Sequence, residues 1–277
     1  MALGQVGLMF WAGRDPAETL REVQSLGINT GQLGIPGDLV LDDAVKQAWK
    51  KALDEAGFTV VTVFAAYNGE DYADIPTVQR TVGFIPPATR EERERRTCEI
   101  SDMAAALEVK SIACHIGFVP EDHADPDYIA VREMVRRVAD YAAKNGQTFA
   151  LETGQEPAPV LVAFMKDVHR PNLRVNFDPA NMILYGTGDP IEALEVVAPY
   201  VVSVHCKDGD WPPKDKPDAL GTERALGDGA VGMDRYVAKL KAVGYTGPLN
   251  IEREIPDHQQ RLEDIRKGAA ILNRLRV

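Results

Sequence analysis

Eight short runs rich in β-branched and other apolar residues alternate with longer segments of helical period along the whole chain. They lie at 6–11, 28–33, 59–65, 111–116, 148–152, 174–178, 201–205 and 249–252. Such alternation is the pattern of repeated βα units around a parallel sheet, and eight strands of this kind close into a barrel. The predicted fold is therefore an α/β protein, a (β/α)8 TIM barrel. Helix ends are readable between the runs. Asp15-Pro16 opens a segment that runs to Leu26-Gly27, and 41–56 is followed by Gly57. The segment 127–145 is followed by Gly146, Asp189-Pro190 opens another helix, and 233–243 stops at Gly244. Proline suits the first turn of a helix and glycine the left-handed position after the last. The length of 277 residues suits one barrel, which typically takes about 250. No Pro/Gly/Ser linker divides the halves, so residues 1–277 are expected to form a single domain. Longer insertions at 68–88 and 208–232 follow strand ends, which places them on the face where barrels carry their sites. The stretch 211–217 reads as a stiff loop.

The informative polar residues stand where apolar strand runs stop. Glu152 closes Thr148-Phe149-Ala150-Leu151, and Asp178 closes Arg174-Val175-Asn176-Phe177. His205 closes Val201-Val202-Ser203-Val204, and Glu252 closes Leu249-Asn250-Ile251. A closed parallel barrel brings the C-terminal ends of its strands to one mouth, so these four side chains can meet. Three carboxylates held close together repel one another unless a cation or protons relieve them, and a divalent ion offsets two of the three charges. Oxygen-rich ligation with one imidazole suits Mn²⁺, Co²⁺ or Mg²⁺, with Zn²⁺ also admissible. His115 ends the fourth run, and Lys207 follows His205 by two residues on the same side of its strand. Both are expected to hold substrate oxygens, with Glu156, Asn181 and Glu223 as further substrate contacts on loops at the mouth.

Composition removes several alternatives. The formal net charge of -11 and the lack of a basic groove argue against a nucleic-acid backbone as partner. No run approaches the roughly 18 apolar residues of a membrane span, and the apolar start lacks the basic flank of a signal peptide. The expectation is a cytoplasmic protein with no membrane partner, and a homo-oligomer is compatible with it. Cys98, Cys114 and Cys206 are too scattered for a disulfide framework. The mixed-charge stretch Arg90-Glu91-Glu92-Arg93-Glu94-Arg95-Arg96 reads as a solvated helix face with i,i+4 pairs.

Four segments carry a family resemblance over nearly the whole chain: Leu151-Glu152-Thr153-Gly154-Gln155-Glu156, Asn176-Phe177-Asp178-Pro179-Ala180-Asn181, Val204-His205-Cys206-Lys207-Asp208 and the stretch 244–252. They resemble the xylose isomerase-like TIM barrels, which include sugar phosphate isomerase/epimerase proteins, ketose 3-epimerases, inosose dehydratases and endonuclease IV. The resemblance implies that Glu152, Asp178, His205 and Glu252 are metal ligands and that Glu152 and Glu252 move the proton. It also places His115 at the edge of the substrate or metal. One departure is visible: many ketose epimerases of the family have His three residues after the sixth-strand aspartate, where this chain has Asn181. The expected activity is a metal-dependent isomerisation or epimerisation of a small-molecule carbohydrate through an enediolate, with a divalent metal ion as cofactor. The alternatives are a metal-dependent lyase or dehydratase acting on a keto-inositol or 3-keto-glycoside, and a non-catalytic carbohydrate-binding barrel.

Overall fold

In the computed structural model, which describes residues 2–216 and 218–277, strands and helices alternate in the expected order. The first half runs β1 (Val6–Trp11), α1 (Pro16–Ser25), β2 (Thr30–Ile35), α2 (Asp43–Ala56), β3 (Thr59–Ala65), α3 (Ile75–Thr81), α4 (Arg90–Ala106), β4 (Ser111–Cys114) and α5 (Pro126–Lys144). The second half runs β5 (Thr148–Glu152), α6 (Ala158–Val168), β6 (Leu173–Phe177), α7 (Pro179–Tyr185), α8 (Pro190–Val197), β7 (Val201–Cys206), β8 (Asp208–Asp210), β9 (Thr222–Arg224), α9 (Met233–Ala242), β10 (Leu249–Ile251) and α10 (His258–Leu275). Strands β1–β7 and β10 close a parallel barrel in which β10 lies between β1 and β7. No helix among the described residues is long and apolar enough to cross a membrane.

The period of two along a strand decides which side chain faces which way. Leu151, Phe177, Val204 and Ile251 pack outward into the main core under the helices. Their neighbours Ala150, Met9, Phe64 and Ala113 form a separate small cluster, the apolar floor of the barrel interior. Glu152, Asp178, His205 and Glu252 alternate with the outward-facing set, so the same pattern that builds the core turns them toward the mouth.

Several expectations are corrected at their edges. The second strand begins at Thr30, because its ladder with β3 starts with the pair Thr30 and Thr59. The fourth stops at Cys114: the Ile116 carbonyl accepts from Phe84 N–H at 2.8 Å, and Gly117 turns away at φ 84. Asp178 leaves β6 to cap α7, its Oδ1 accepting from Asn181 N–H at 2.9 Å. The insertion at 68–88 contains helix α3, and that at 208–232 contains the antiparallel pair β8–β9. Within the predicted stiff loop, 211–216 carries no helix, while Pro217 and Met1 lie outside the described residues.

The arginine-rich stretch of α4 is a solvated face only in part: Glu91, Glu92 and Arg95 are exposed, but the other three arginines turn inward. Arg93 is buried and donates to the carbonyls of Gly83 and Asn68. Arg96 donates to Pro36 O and Leu39 O, and Arg90 to Phe84 O, Ile85 O and Asp127. These guanidinium groups tie the loops after β2 and β3 to α4. The three cysteines are free.

Candidate metal centre

Glu152, Asp178, His205 and Glu252 converge: each offers one ligand atom, and the four atoms lie within 4.8 Å of one another. His205 Nδ1 sits among the carboxylates, 2.8 Å from Glu152 Oε1, 3.1 Å from Glu252 Oε2 and 3.2 Å from Asp178 Oδ2. All four residues are buried. The opposite ring nitrogen, Nε2, lies 2.9 Å from Gln32 Oε1. The Gln32 amide in turn donates to Asn176 Oδ1 at 2.9 Å, which also accepts from the Ser203 hydroxyl. An imidazole that donates through one nitrogen presents the other as a lone pair, the arrangement typical of metal-ligating histidine.

The electrostatics of the cluster follow from burial and crowding. Burial disfavours charge on His205, yet Glu252 and Glu152 beside it hold its pKa well above the ordinary value. Burial pushes Glu152 up despite His115 and His205. Against the same burial, the hydrogen bond to His205 and the Lys207 charge hold Asp178 at about 2. Three carboxylates cannot all ionise comfortably around one imidazole, so one of them keeps a tendency to take up a proton. Glu252 Oε2 is buried and has no well-aligned hydrogen bond, although His205 Nδ1 and Lys207 Nζ each lie 3.1 Å from it. A hard divalent cation fits this donor set, since three carboxylate oxygens and one imidazole nitrogen converge on it and its charge would relieve the mutual repulsion.

Above the cluster opens a cavity of about 460 Å³ lined by His115, Glu152, Asn181, Lys207, Glu223 and Glu252 among others. His115 Nε2 lies 3.0 Å from Glu152 Oε2, and its Nδ1 lies 3.2 Å from the Gln155 amide. Asn181 donates to Glu152 Oε1 at 3.3 Å. Lys207 Nζ is shared between Glu252 at 3.1 Å and Glu254 at 2.9 Å. Glu223 accepts from Arg253 and from Glu254 N–H.

Glu156 stands apart and corrects the expectation of a mouth contact. The chain turns at Gly154, where φ is 149, and Gln155 rather than Glu156 reaches His115. Glu156 Oε1 accepts from Val119 N–H at 2.8 Å, and the residue lines a separate cavity of about 230 Å³ with Tyr128, Leu161 and Phe164. Burial pushes its carboxyl up to about 7. A carboxyl whose folded pKa is raised favours the folded state below its unfolded pKa, and that contribution is lost as pH rises toward the folded one. Glu156→Gln keeps the acceptor for Val119, so it is expected to be more stable than the parent by up to about 3 kcal/mol near pH 8. The difference should shrink toward pH 5. Denaturant unfolding at the two pH values checks this, and an equal difference at both would show that the buried charge is not its source.

Sequence reasoning missed Gln32, Asn176 and Gln155, and also the aromatic wall of Trp11, Phe64, Tyr72 and Tyr185. Gln32 and Asn176 carried a signal, a polar amide in the middle of a buried strand. The aromatic wall carried none, because its members come from separate elements.

Comparisons with known proteins agree with this fold. The sequence model of xylose isomerase-like TIM barrels matches residues 20–275. The chain is 44% identical to a xylose isomerase domain protein from Planctomyces limnophilus, with a TM-score of 0.94 over 99% of this chain and 98% of that one. A D-psicose 3-epimerase structure shares the fold at 17% identity, TM-score 0.71, over 98% and 99% of the two chains. So does the probable 3-DHS dehydratase of Bacillus anthracis, at 15% identity and TM-score 0.68 over 97% and 98%. Likeness at those last two levels of identity concerns the fold alone.

Proposed function

The chain belongs to the xylose isomerase-like TIM barrel family, and from that premise we propose that it is a metal-dependent isomerase or epimerase of a small sugar or sugar derivative, with Glu152 and Glu252 as the proton carriers. The observation that carries this reading is the placement of both glutamates in one cavity as members of a buried metal-type donor set. A divalent ion held by Glu152, Asp178, His205 and Glu252 would supply Lewis acidity toward a carbonyl and its neighbouring hydroxyl. The chain's own residues do the rest. Glu152 and Glu252 come from β5 and β10, with β6 and β7 between them in the barrel, so they approach a substrate from different sides. One carboxylate takes the proton from the carbon next to the carbonyl, and the electron pair left behind delocalises as an enediolate. The other returns a proton to the opposite face in an epimerisation, or to the neighbouring carbon in an isomerisation. His115 and Asn181, both bonded to Glu152, orient its carboxylate. Lys207 and Glu223 are assigned to substrate hydroxyls.

A second reading keeps the same base and changes the outcome. The Lys207 ammonium, between Glu252 and Glu254, is a donor able to protonate an oxygen leaving from the carbon β to the carbonyl, which gives a lyase or dehydratase. Incubating the metal-loaded protein with keto-sugars in D₂O separates the two. Deuterium at the carbon next to the carbonyl, with the skeleton intact, is the expected result. Loss of water or a glycosidic group would assign the protein to elimination, and binding without exchange or elimination would leave a carbohydrate-binding barrel.

A further inference from the structure

The mouth is rich in carboxylates. Five glutamates line it, Glu70, Glu152, Glu223, Glu252 and Glu254, against one lysine and one histidine. Lys207 is already shared between two carboxylates. The guanidinium groups on the flanking elements are committed as well: Arg253 to Glu223 and Asp264, Arg224 to Asp210. Phosphate-binding barrels use backbone N–H groups in the loops after the last strands, and here that cradle is filled from within. The N–H groups of Gly209, Gly227 and Val231 all donate to the buried carboxylate of Asp208, at 3.0, 2.9 and 3.1 Å. At Gly229 the loop passes so close that a Cβ would stand 2.3 Å from Asp208 Oδ1. The N-terminus of α7, beside the metal cluster, is likewise occupied by Asp178.

We infer that the substrate is an uncharged polyhydroxy carbonyl compound and that the site discriminates against sugar phosphates and sugar acids. Even with a divalent ion bound, the lining keeps an excess of carboxylates, and an anionic group entering the cavity would lose its water without meeting, among the described lining residues, a free cation or an open N–H cradle. The aromatic and aliphatic wall of Trp11, Tyr72, Tyr185, Leu184 and Leu220 instead offers apolar surface to the C–H faces of a neutral sugar. This inference rests on the isomerase reading above, and the test separates their failures.

The experiment measures solvent-deuterium exchange by the magnesium- or manganese-loaded protein on matched pairs, D-fructose with D-fructose 6-phosphate and D-ribulose with D-ribulose 5-phosphate. It is repeated with Glu254→Gln. The expected result is exchange at least about tenfold faster in kcat/KM for the neutral member of a pair, with the ratio narrowing in the variant because one repelling charge is gone. Exchange that is equal or faster with the phosphates overturns the inference and leaves the isomerase reading standing. A preference for the neutral member that Glu254→Gln leaves unchanged overturns the electrostatic account. Exchange with no member of either pair, and none with a wider keto-sugar panel, overturns both.

Discussion

Glu152→Gln and Glu252→Gln are each expected to lower turnover by about 10²–10⁴-fold, the usual loss when a general base is removed, while the barrel stays folded. Both substitutions preserve side-chain volume, so no cavity opens in the core. Both replace a charged oxygen in contact with His205 Nδ1 by a neutral amide. Weakened metal binding would add to the loss, and the two contributions can be parted. Rates measured at saturating metal report the proton transfer, while titration of the metal reports the ligand. The variants should also differ from each other. Glu152 is held by His115 and Asn181 as well as His205, so its replacement disturbs three neighbours. Glu252 faces His205 and Lys207, and its replacement leaves Lys207 to Glu254 alone. Unchanged deuterium exchange in either variant would rule out a mechanism that needs both glutamates.

How far such a site can be read from sequence depends on whether its residues obey the strand period. The four metal-type residues do: each follows an apolar run that packs outward, so its own side chain turns inward. That is why Glu152, Asp178, His205 and Glu252 were legible. Gln32 obeys the same period on β2, but a single amide between Gly31 and Leu33 acquires meaning only when closure of the barrel sets it against His205. The hairpin β8–β9 was illegible for another reason. Its strands have three residues each, Asp208-Gly209-Asp210 and Thr222-Glu223-Arg224, and pieces this short without an apolar residue carry no hydrophobic alternation. Glu156 was misplaced because one glycine with positive φ, Gly154, redirects the chain after β5. Arg90, Arg93 and Arg96 look solvated in sequence because their acceptors are mostly backbone carbonyls of distant loops, which leave no pattern of acidic partners.

Stripping divalent metal from the protein is expected to lower its thermal midpoint by on the order of 10 °C, and more at about pH 8 than at about pH 6. A ligand present at a thousandfold its dissociation constant stabilises the folded state by about 4 kcal/mol. In a chain of this size each 1 kcal/mol moves the midpoint by about 2–4 °C. The pH dependence follows from the groups around the site. In the metal-free protein the raised pKa of His205 contributes stability that is complete below its unfolded value, near 6.5, and is lost as pH rises through the folded one. The raised Glu152 acts in the same direction, favouring the folded state most at low pH. Asp178, held at about 2, contributes fully above its unfolded value and changes little between pH 6 and 8. The metal-free protein therefore weakens as the solution becomes alkaline. The metal-bound form gains over the same range, because its ligands no longer compete with protons. Melting curves with and without a chelator, followed by readdition of Mg²⁺, Mn²⁺, Co²⁺ or Zn²⁺ one at a time, measure both effects and rank the ions. A midpoint indifferent to the chelator and to every ion at both pH values would mean that the four side chains do not form a metal site, and that His205 is simply a protonated partner of three carboxylates.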